Sequence, residues 1–356
     1  MKMNDDFEFQ VLSKNAEYSR SITQQHMKSL GQYFTDPKVA KYMCDWACRG
    51  ASTMLDPAVG NSIFFQYAKR VIPKGQLSGY EIDDSILQFF GNPAEASIKK
   101  VDYLLNDWDD RYDAIVCNPP YNRFQSIANR AEIIDSFYEH VGTKYSSYTN
   151  LYVLFLIKSI YQMSDTGRLA YIVPTEFLNS KYGTAVKRLM LDNGLLKAVI
   201  NFSNNQELFS NATTTCCILL LDKTSTDVVK FYNVNSISDL ESVPLNLETT
   251  KNCIPVSYSL LDPEKKWRIY LYQEEMTDYR NLTNVSTFCS VSRGIATGAN
   301  SFFCLSDQAR KDNNIDMKYL SRCICRSADV QKNVFTEEYF ESLMQKGKTV
   351  FLLDVK

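Results

Sequence analysis

The run Asn118-Pro119-Pro120-Tyr121 directly follows an apolar stretch, residues 112–117. It brings an amide oxygen, a carbonyl and an aromatic ring together at the end of a predicted strand. Proline fixes its own φ angle and has no N–H, so it presents its carbonyl rigidly. An amine on an aromatic ring is a poor nucleophile because its lone pair is conjugated, and fixed acceptors for its hydrogens lower that barrier. The run therefore predicts a site that alkylates a planar amine, although adjacent prolines are also typical of a plain turn.

Acidic residues stand at the ends of three predicted strands ahead of this run. The first strand leads through Asp56-Pro57-Ala58-Val59-Gly60 into a predicted helix, residues 62–68. Such strand–turn–helix units bind nucleotide-like ligands in doubly wound sheets, although a single glycine is a weak dinucleotide fingerprint. Glu81 ends the second strand and is suited to accept hydrogen bonds from ribose hydroxyls. Asp102 stands at the end of the third predicted strand. Acidic residues at three successive strand ends predict a nucleotide-like cofactor at that edge of the sheet.

Apolar runs that alternate with helical patterns predict the fold. Strands are expected near residues 54, 79, 101 and 114, and at 169–173, 196–202 and 216–221. Helical patterns lie between several of these strands, notably at 151–163 and 184–192. Strands that alternate with helices predict an α/β fold with a doubly wound, largely parallel sheet. Ligands then bind beyond the carboxyl ends of the strands.

Length and composition predict more than one domain. A chain of 356 residues is too long for one ordinary core. Residues 1–27 are expected to form a leading helical arm, and a polar stretch at 222–227 marks a shift in composition. We therefore expect a catalytic domain at 28–223 and a second domain at 224–356.

The cysteines indicate the cellular compartment of the protein, and the net charge indicates what kind of partner it can bind. The ten cysteines are scattered, and neither a signal peptide nor a membrane-spanning run is visible, which predicts a cytoplasmic protein with reduced thiols. Cys304, Cys323 and Cys325 lack the spacing of a four-ligand zinc site, so no metal is expected. The net charge of −2 is unusual for a nucleic-acid binder. A locally basic cleft that includes residues such as Arg123 and Lys187 stays open, although each of them alone is more typical of a solvated surface charge.

Together, these motifs resemble the γ-class adenine-N6 DNA methyltransferases of the TaqI type over residues 28–223. The resemblance implies a Rossmann-like, class I S-adenosylmethionine-dependent methyltransferase sheet with a C-terminal α+β target-recognition domain. It also implies the cofactor S-adenosylmethionine. Thr35, within the run 30–37, corresponds to the residue that contacts the methionine part of that cofactor.

The resemblance assigns the remaining cofactor and target residues one by one. Asp56, Pro57 and Gly60 match the first cofactor loop, and Glu81 matches the ribose-binding acid. Further positions match residues that surround the cofactor adenine or lie at the catalytic motif beside it: Asp102, Tyr103, Phe155 and Asn118. Phe209, in Glu207-Leu208-Phe209, resembles the residue that stacks on the flipped target base opposite Tyr121.

A glycine-rich loop in the second domain resembles a segment of the family's recognition domains that contacts DNA. Its candidate contact residues are Arg293, Gly294, Thr297, Gly298 and Asn300. A plain turn between strands is the alternative for such a composition. The chain stops in an apolar run, residues 349–356, that looks like a strand in mid-domain. A compact recognition domain and a fragment of a longer chain both stay open.

The resemblance implies methyl transfer to the N6 amine of an adenine flipped out of double-stranded DNA, in a restriction–modification system with a separate restriction endonuclease. Three alternatives remain open. The same catalytic motif could methylate an RNA adenine, or a protein glutamine as in the release-factor methyltransferases, which lack a long domain after the last strand. The chain could also be a non-catalytic specificity subunit that keeps the fold.

Overall fold

The computed structural model describes residues 2–354 apart from 123, 125–126, 144, 146–148, 181, 204–214, 272–282, 284, 291–296 and 332. The chain divides into two compact units, Met1–Asp278 and Tyr279–Lys356. The large first unit contains every motif that the sequence predicted around a cofactor, so its sheet is described first.

The described residues of the first unit form a nine-stranded mixed sheet. Its strands are β1 (Thr53–Asp56), β2 (Gln76–Tyr80), β3 (Ser97–Lys99), β4 (Tyr112–Cys117), β5 (Met163–Pro174), β6 (Leu196–Phe202), β7 (Cys216–Asp222), β8 (Val228–Val234) and β9 (Cys253–Ser257). Their order is β3-β2-β1-β4-β5-β7-β6-β8-β9. Strands β1 to β5 pair in parallel, whereas β7 runs antiparallel to both neighbours. The strand order reverses between β1 and β4, and such a switch point is where doubly wound sheets bind ligands. The predicted α/β doubly wound fold is confirmed.

Helices cover both faces of this sheet. They are α1 (Lys2–Ser21), α2 (Gln24–Leu30), α3 (Pro37–Ala47), α4 (Ile63–Val71), α5 (Asp84–Phe90), α6 (Arg130–Val141), α7 (Leu151–Tyr161) and α8 (Thr184–Asp192). Two separate apolar clusters lie against the sheet, one with α3 and α4 and the other with α6, α7 and α8. Strand β7 contributes alternate residues to each, because successive side chains of a strand point to opposite faces.

The third strand, predicted near residue 101, lies slightly earlier in the chain, at Ser97–Lys99. Strand β3 ends at Lys99, and residues 103–105 form a short 3-10 turn. Asp102 begins that turn, since its Oδ1 accepts the N–H of Leu104 at 2.9 Å. An aspartate that bonds to nearby backbone offers the chain an alternative to a sheet ladder. The apolar residues that suggested a strand, Tyr103 and Leu104, are buried as a turn instead.

The sheet continues past residue 223, where a domain boundary was expected. Strand β8 pairs in parallel with β6, and β9 pairs with β8. The polar stretch that suggested a boundary is the connection from β7 to β8, in which Asp222 Oδ1 accepts from the N–H and the hydroxyl of Thr224. Short polar residues are favoured in turns for this reason. A change in composition therefore marked a turn inside the first unit.

The second unit contains a small antiparallel sheet. Its elements are α9 (Asn300–Phe303), β10 (Cys304–Leu305), α10 (Asp307–Asp312), β11 (Leu320–Arg322), α11 (Glu337–Gln345) and β12 (Phe351–Leu353). Strand β12 lies between β10 and β11. The buried core consists of Leu305, Phe340, Leu343, Val350 and Phe351. The apolar run at the end of the chain is thus a central strand, as its pattern predicted.

Candidate active site

A cavity of about 330 Å³ lies at the carboxyl ends of β1, β2 and β4. The predicted cofactor residues that line it are Pro57, Gly60, Glu81, Asp102, Tyr103, Asn118 and Phe155. Pro120 also lines it, whereas Thr35 and Asp56 lie behind its wall. The fold therefore brings most of the predicted cofactor residues to one place, although they come from separate strand ends and a helix.

Glu81 is fixed by the backbone of two neighbouring loops. Its Oε2 accepts the N–H of Gly60 and its Oε1 the N–H of Asp83, both at 2.9 Å. Gly60 has a φ of +52°, a conformation that favours glycine. Burial raises the pKa of Glu81 despite these hydrogen bonds. Each oxygen retains a lone pair, so Glu81 can still accept from hydroxyl groups of a ligand.

Asp56 is fully buried beneath the loop that it begins. Its Oδ1 accepts the N–H of Ala58 at 3.1 Å, and its buried Oδ2 has no partner among the residues that the structure describes. Burial raises the pKa of Asp56 to about 8, with a smaller contribution from the charge of Glu81. Asp56 therefore stabilises the conformation of the loop 56–60 without lining the cavity itself.

We expect Asp56 to make the protein less stable as the pH rises. The folded state keeps the Asp56 proton up to about pH 8, whereas the unfolded state loses it near pH 4. The contribution of this group is therefore fully present below pH 4 and is lost as the pH rises through 8. One proton corresponds to about 1.4 kcal/mol per pH unit in the free energy of unfolding. Urea unfolding of Asp56→Asn should show a shallower decline than the wild type across this range, and parallel curves would contradict this role.

Tyr103 and Phe155 form an aromatic wall of the cavity. Their ring centroids are 5.2 Å apart, and the Tyr103 ring is also 5.2 Å from that of Tyr80. The Tyr103 hydroxyl donates to Gln162 Oε1 at 2.7 Å and lies 2.9 Å from Ser159 Oγ. A ring held in this way presents a rigid apolar surface, which suits a planar heterocycle.

Asp102 is held at the cavity by a residue that the sequence did not indicate. Asn129 Nδ2 donates to Asp102 Oδ2 at 3.0 Å, and Asn129 itself lines the cavity. Ile127 and Ile133 line it as well. These three residues follow the run 118–121 in a stretch without any recognisable pattern, so only the tertiary structure identifies them.

The Asn118 side chain has one possible orientation. Its Nδ2 donates to the Tyr33 carbonyl at 2.9 Å and to Thr35 Oγ1 at 3.1 Å. Because a carbonyl can only accept, the nitrogen must face Tyr33 and the oxygen must face the other way. Asn118 Oδ1 is buried and has no hydrogen-bond partner in the described part of the chain. This oxygen can therefore accept a hydrogen bond from a ligand.

The N-terminal segment 29–34 contributes a whole wall of the cavity. It packs directly on the run 118–121 at Gly31, where an added Cβ would lie 3.0 Å from the backbone nitrogen of Tyr121. Gly31 also has a φ of +64°. Asn122 Nδ2 donates to the Ser29 carbonyl at 2.6 Å. The sequence motif there was recognised, but only Thr35 was assigned a role from it.

Tyr121 belongs to the same run as Asn118 but is not among the residues that line the cavity. Its ring stacks on that of Tyr33, with centroids 5.5 Å apart and planes at 26°. Its hydroxyl donates to the Ile172 carbonyl at 3.3 Å. Pro119 is buried. Phe209, the predicted stacking partner on the other side of the target base, lies outside the described residues.

The predicted DNA-contact loop is described only in part. Arg293 and Gly294 lie outside the described residues. Thr297 and Gly298 lie in the turn that leads into α9, and Thr297 Oγ1 donates to Oδ1 of Asn300, the first residue of that helix, at 2.6 Å. Gly298 has a φ of +70° and is exposed, as is Asn300.

One basic residue lies in a different environment from the one that its sequence position suggested. Lys187, expected as a surface charge, is buried and donates to the Lys265 carbonyl at 3.0 Å.

Among the described residues, no cluster of three or more His, Cys, Asp or Glu side chains is arranged to hold a metal ion. None of the helices within those residues has both the length and the apolar composition needed to cross a membrane.

Strand order and cavity position together define the class of protein. A sheet in which one antiparallel strand, β7, lies between β5 and β6, with a ligand cavity at the β1/β4 switch point, is the fold of class I S-adenosylmethionine-dependent methyltransferases. Residues 10–254 match the family model described as N-6 DNA Methylase. Residues 263–356 match that described as the C-terminal domain of the Type II methyltransferase M.Eco57I. The chain belongs to the N-6 DNA methylase family, which confirms the γ-class resemblance.

Proteins similar in sequence to this chain are named Type II methyltransferases. It is 36% identical to the Type II methyltransferase M.AccI of Acinetobacter calcoaceticus over 96% of this chain, and spans 65% of that relative. It is 22% identical to the Type II methyltransferase M.HindII of Haemophilus influenzae over 78% of this chain and 56% of the relative. A solved methyltransferase subunit of a type I restriction–modification system from Streptococcus thermophilus has a TM-score of 0.54 at 19% identity, over 66% of this chain and 58% of that one. The chain thus spans less than two thirds of these proteins.

Proposed function

We propose that this protein transfers a methyl group from S-adenosylmethionine to the N6 amine of an adenine in double-stranded DNA. The observation that carries the proposal is the buried Oδ1 of Asn118, a residue that lines the cavity: this oxygen has no hydrogen-bond partner within the part of the chain that the structure describes. Leaving a buried acceptor without a partner is costly, so its presence at a site is explained by a donor that arrives with a ligand. The amine of a flipped adenine is such a donor.

The residues of the motif act by holding the amine. Asn118 Oδ1 accepts one of its hydrogens and the Pro119 carbonyl the other, which draws the nitrogen lone pair out of conjugation with the ring. When bound, S-adenosylmethionine supplies an electrophilic methyl group. Most of the rate then comes from orientation by fixed groups. No strong base is required, because the lone pair attacks before the proton leaves.

The cavity suits the proposed cofactor on three counts. Tyr103 and Phe155 offer a face for adenine, Glu81 offers acceptors for ribose hydroxyls, and Asn118 stands at the end where the transferred group is needed. The proposed cofactor residues outside the lining act indirectly, since Thr35 orients Asn118 and Asp56 supports the first loop.

Reading of the DNA sequence is assigned to the C-terminal part of the chain. The match of residues 263–356 to the C-terminal domain of a Type II methyltransferase supports this assignment. Thr297, Gly298 and Asn300 lie in a largely exposed stretch there that can offer donors to phosphates. A relative from Escherichia coli, 26% identical over 67% of this chain, is named a Type II restriction enzyme and methyltransferase, which supports a place in a restriction–modification system with a restriction endonuclease as the functional partner.

The direct test is incubation of the purified chain with labelled S-adenosylmethionine and unmethylated genomic DNA. After digestion to nucleosides, the label should be found in N6-methyladenine, and Asn118→Ala should give none. Label in RNA or in protein glutamine instead of DNA would overturn the substrate. Saturable cofactor binding without transfer to any of the three would overturn the proposal that this chain is catalytic by itself.

We expect Tyr121→Ala to weaken capture of the target base more than cofactor binding. Stacking of a base on an aromatic ring contributes roughly 1–3 kcal/mol. The dissociation constant for DNA that carries an abasic site opposite the target adenine should therefore rise about tenfold or more. Tyr121→Phe keeps the ring and removes the hydroxyl that donates to the Ile172 carbonyl and accepts from Cys216 Sγ, so it serves as the matched control. Equal losses for DNA and S-adenosylmethionine would point to a collapsed site rather than to lost stacking.

A further inference from the structure

Three cysteines of the second unit come together on one side of its small sheet. Cys304 lies in β10 beside Leu305, and Cys323 directly follows Arg322, the last residue of β11. Leu305 is part of the buried core, and Arg322 lies over the ring of Phe340, another core residue. Because successive side chains of a strand point to opposite faces, Cys304 and Cys323 share the face of the sheet away from that core.

Cys325 is in contact with both of the other thiols. Its Sγ lies 3.2 Å from that of Cys323, and its side chain also hydrogen-bonds to Cys304. The N–H of Cys323 donates to the Val350 carbonyl at 2.9 Å, so the pair is held beside the start of β12. All three cysteine side chains are half-buried and keep some exposure to solvent, so a small molecule can reach them.

The formation of a sulfur–sulfur bond is the chemistry that this arrangement favours. The described residues, these three cysteines included, contain no group of three or more His, Cys, Asp or Glu side chains that is arranged to hold a metal ion. Burial raises the pKa of each of the three thiols. A disulfide carries no charge, so the burial that disfavours a thiolate does not oppose a bridge. The sulfur atoms of a disulfide are about 2.05 Å apart, and small rotations of the Cys323 and Cys325 side chains would bring their sulfur atoms to that distance.

We propose that Cys323 and Cys325 are a site of reversible oxidation, at which exchange with a low-molecular-weight disulfide such as glutathione disulfide forms an intrachain bridge. One protein thiolate attacks a sulfur of the small disulfide and releases a first free thiol. The neighbouring protein thiolate then attacks the mixed disulfide and releases the second. The two protein thiols thereby lose two electrons and two protons, which the small disulfide takes up as it becomes two thiols. In reducing compartments, bridges of this kind are transient and usually sense redox conditions.

The contact between the two sulfur atoms favours the second of these steps. Groups whose reacting atoms are held about 3–3.5 Å apart react far faster than the same groups free in solution, and the Sγ atoms of Cys323 and Cys325 are within that range. Cys289 of the same unit is exposed, and its Sγ donates to the Val285 carbonyl rather than to a thiol. A mixed disulfide at Cys289 should therefore persist, which makes this residue an internal control.

The test treats the folded full chain with glutathione disulfide, blocks the remaining free thiols with iodoacetamide and maps the tryptic peptides by mass spectrometry. Trypsin cuts after Arg322 and Arg326, so both cysteines of the proposed pair stay in one peptide, residues 323–326. This peptide should lose two hydrogen atoms and carry neither glutathione nor the blocking group. The peptide that contains Cys289 should carry glutathione.

Two variants and an unfolded chain separate the possible results. Cys304→Ser should leave the bridge intact, whereas Cys323→Ser should remove it. Unfolding in urea should lower the equilibrium constant for the bridge, measured at a fixed ratio of reduced to oxidised glutathione, at least about tenfold, and an equal constant in urea would overturn the role of the fold. Glutathione on both cysteines of the pair, or blocking groups on both while Cys289 is fully modified, would overturn the proposal. A bridge from Cys325 to Cys304, which joins two tryptic peptides, would overturn the assignment of the pair.

Discussion

Asn118→Ala should lower kcat for DNA methylation at least about a thousandfold. Loss of a single fixed hydrogen-bonding group at a reacting centre costs about 10²–10³ in kcat, and this substitution also frees the segment that holds the group in place. The side chain connects the site to Tyr33 and Thr35, 85 and 83 residues away in sequence. The dissociation constant of S-adenosylmethionine should rise only about 10-fold or less, because one amide is lost from a much larger contact surface.

Three variants separate the two roles of this amide. Asn118→Asp keeps an acceptor oxygen but cannot donate to Tyr33 and Thr35, so it should lose the orientation of the group. Thr35→Val removes one of the two acceptors and keeps the shape, and kcat should fall about 10-fold. Asn193→Ala, at the end of α8, is a matched control that should leave kcat unchanged. If Asn118→Ala lost cofactor binding and catalysis to the same extent, the amide would be a structural element and not the group that holds the amine.

Lys158→Met should cause the largest loss of stability among these variants. Lys158 lies on α7, is fully buried, and its Nζ donates to the carbonyls of Tyr103 and Asn106. Its Nζ also lies 4.5 Å and 4.7 Å from the ring centroids of Tyr103 and Trp108. Methionine fills the space but removes the Nζ donor from both carbonyls: the partly buried Asn106 carbonyl loses this hydrogen bond, whereas the Tyr103 carbonyl keeps the Asn106 N–H at 3.4 Å. A buried acceptor that loses its donor costs about 1–3 kcal/mol. Urea unfolding should show a loss of about 2–4 kcal/mol in the free energy of unfolding.

The same substitution should weaken cofactor binding through the turn that follows β3. This turn carries Asp102 and Tyr103, which line the cavity, and Lys158 Nζ donates a hydrogen bond to its backbone carbonyl at Tyr103. We expect the dissociation constant of S-adenosylmethionine to rise about 10-fold at a temperature where the variant is folded. Lys69→Met, on the exposed side of α4, is the matched control for loss of a lysine. Full stability of Lys158→Met would mean that water replaces the amine, and the turn would then be held by other contacts.

Local patterns in the sequence were sufficient to predict the sheet, and most of the residues that they assigned to a cofactor line one cavity. A strand that ends in a turn shows as an apolar run followed by Gly, Pro or an acid, and in a doubly wound sheet such ends converge on one edge. Glu81, Gly60 and Asn118 were therefore identified correctly as neighbours before any contact was known. Polar stretches were less informative, since the segment at 222–227 has the composition of a linker and forms a turn within the sheet.

What only the tertiary structure decided is how these side chains are held. The orientation of Asn118 depends on Tyr33 and Thr35, and that of Tyr103 on α7. Each pair joins residues that are more than fifty positions apart and belong to different elements. Sequence spacing reports which residues share a strand end or a helix face, because those periodicities are local. A hydrogen bond between distant segments leaves no such period, so the sequence determined which groups reach the cavity and the fold determined which of their atoms remain available to a ligand.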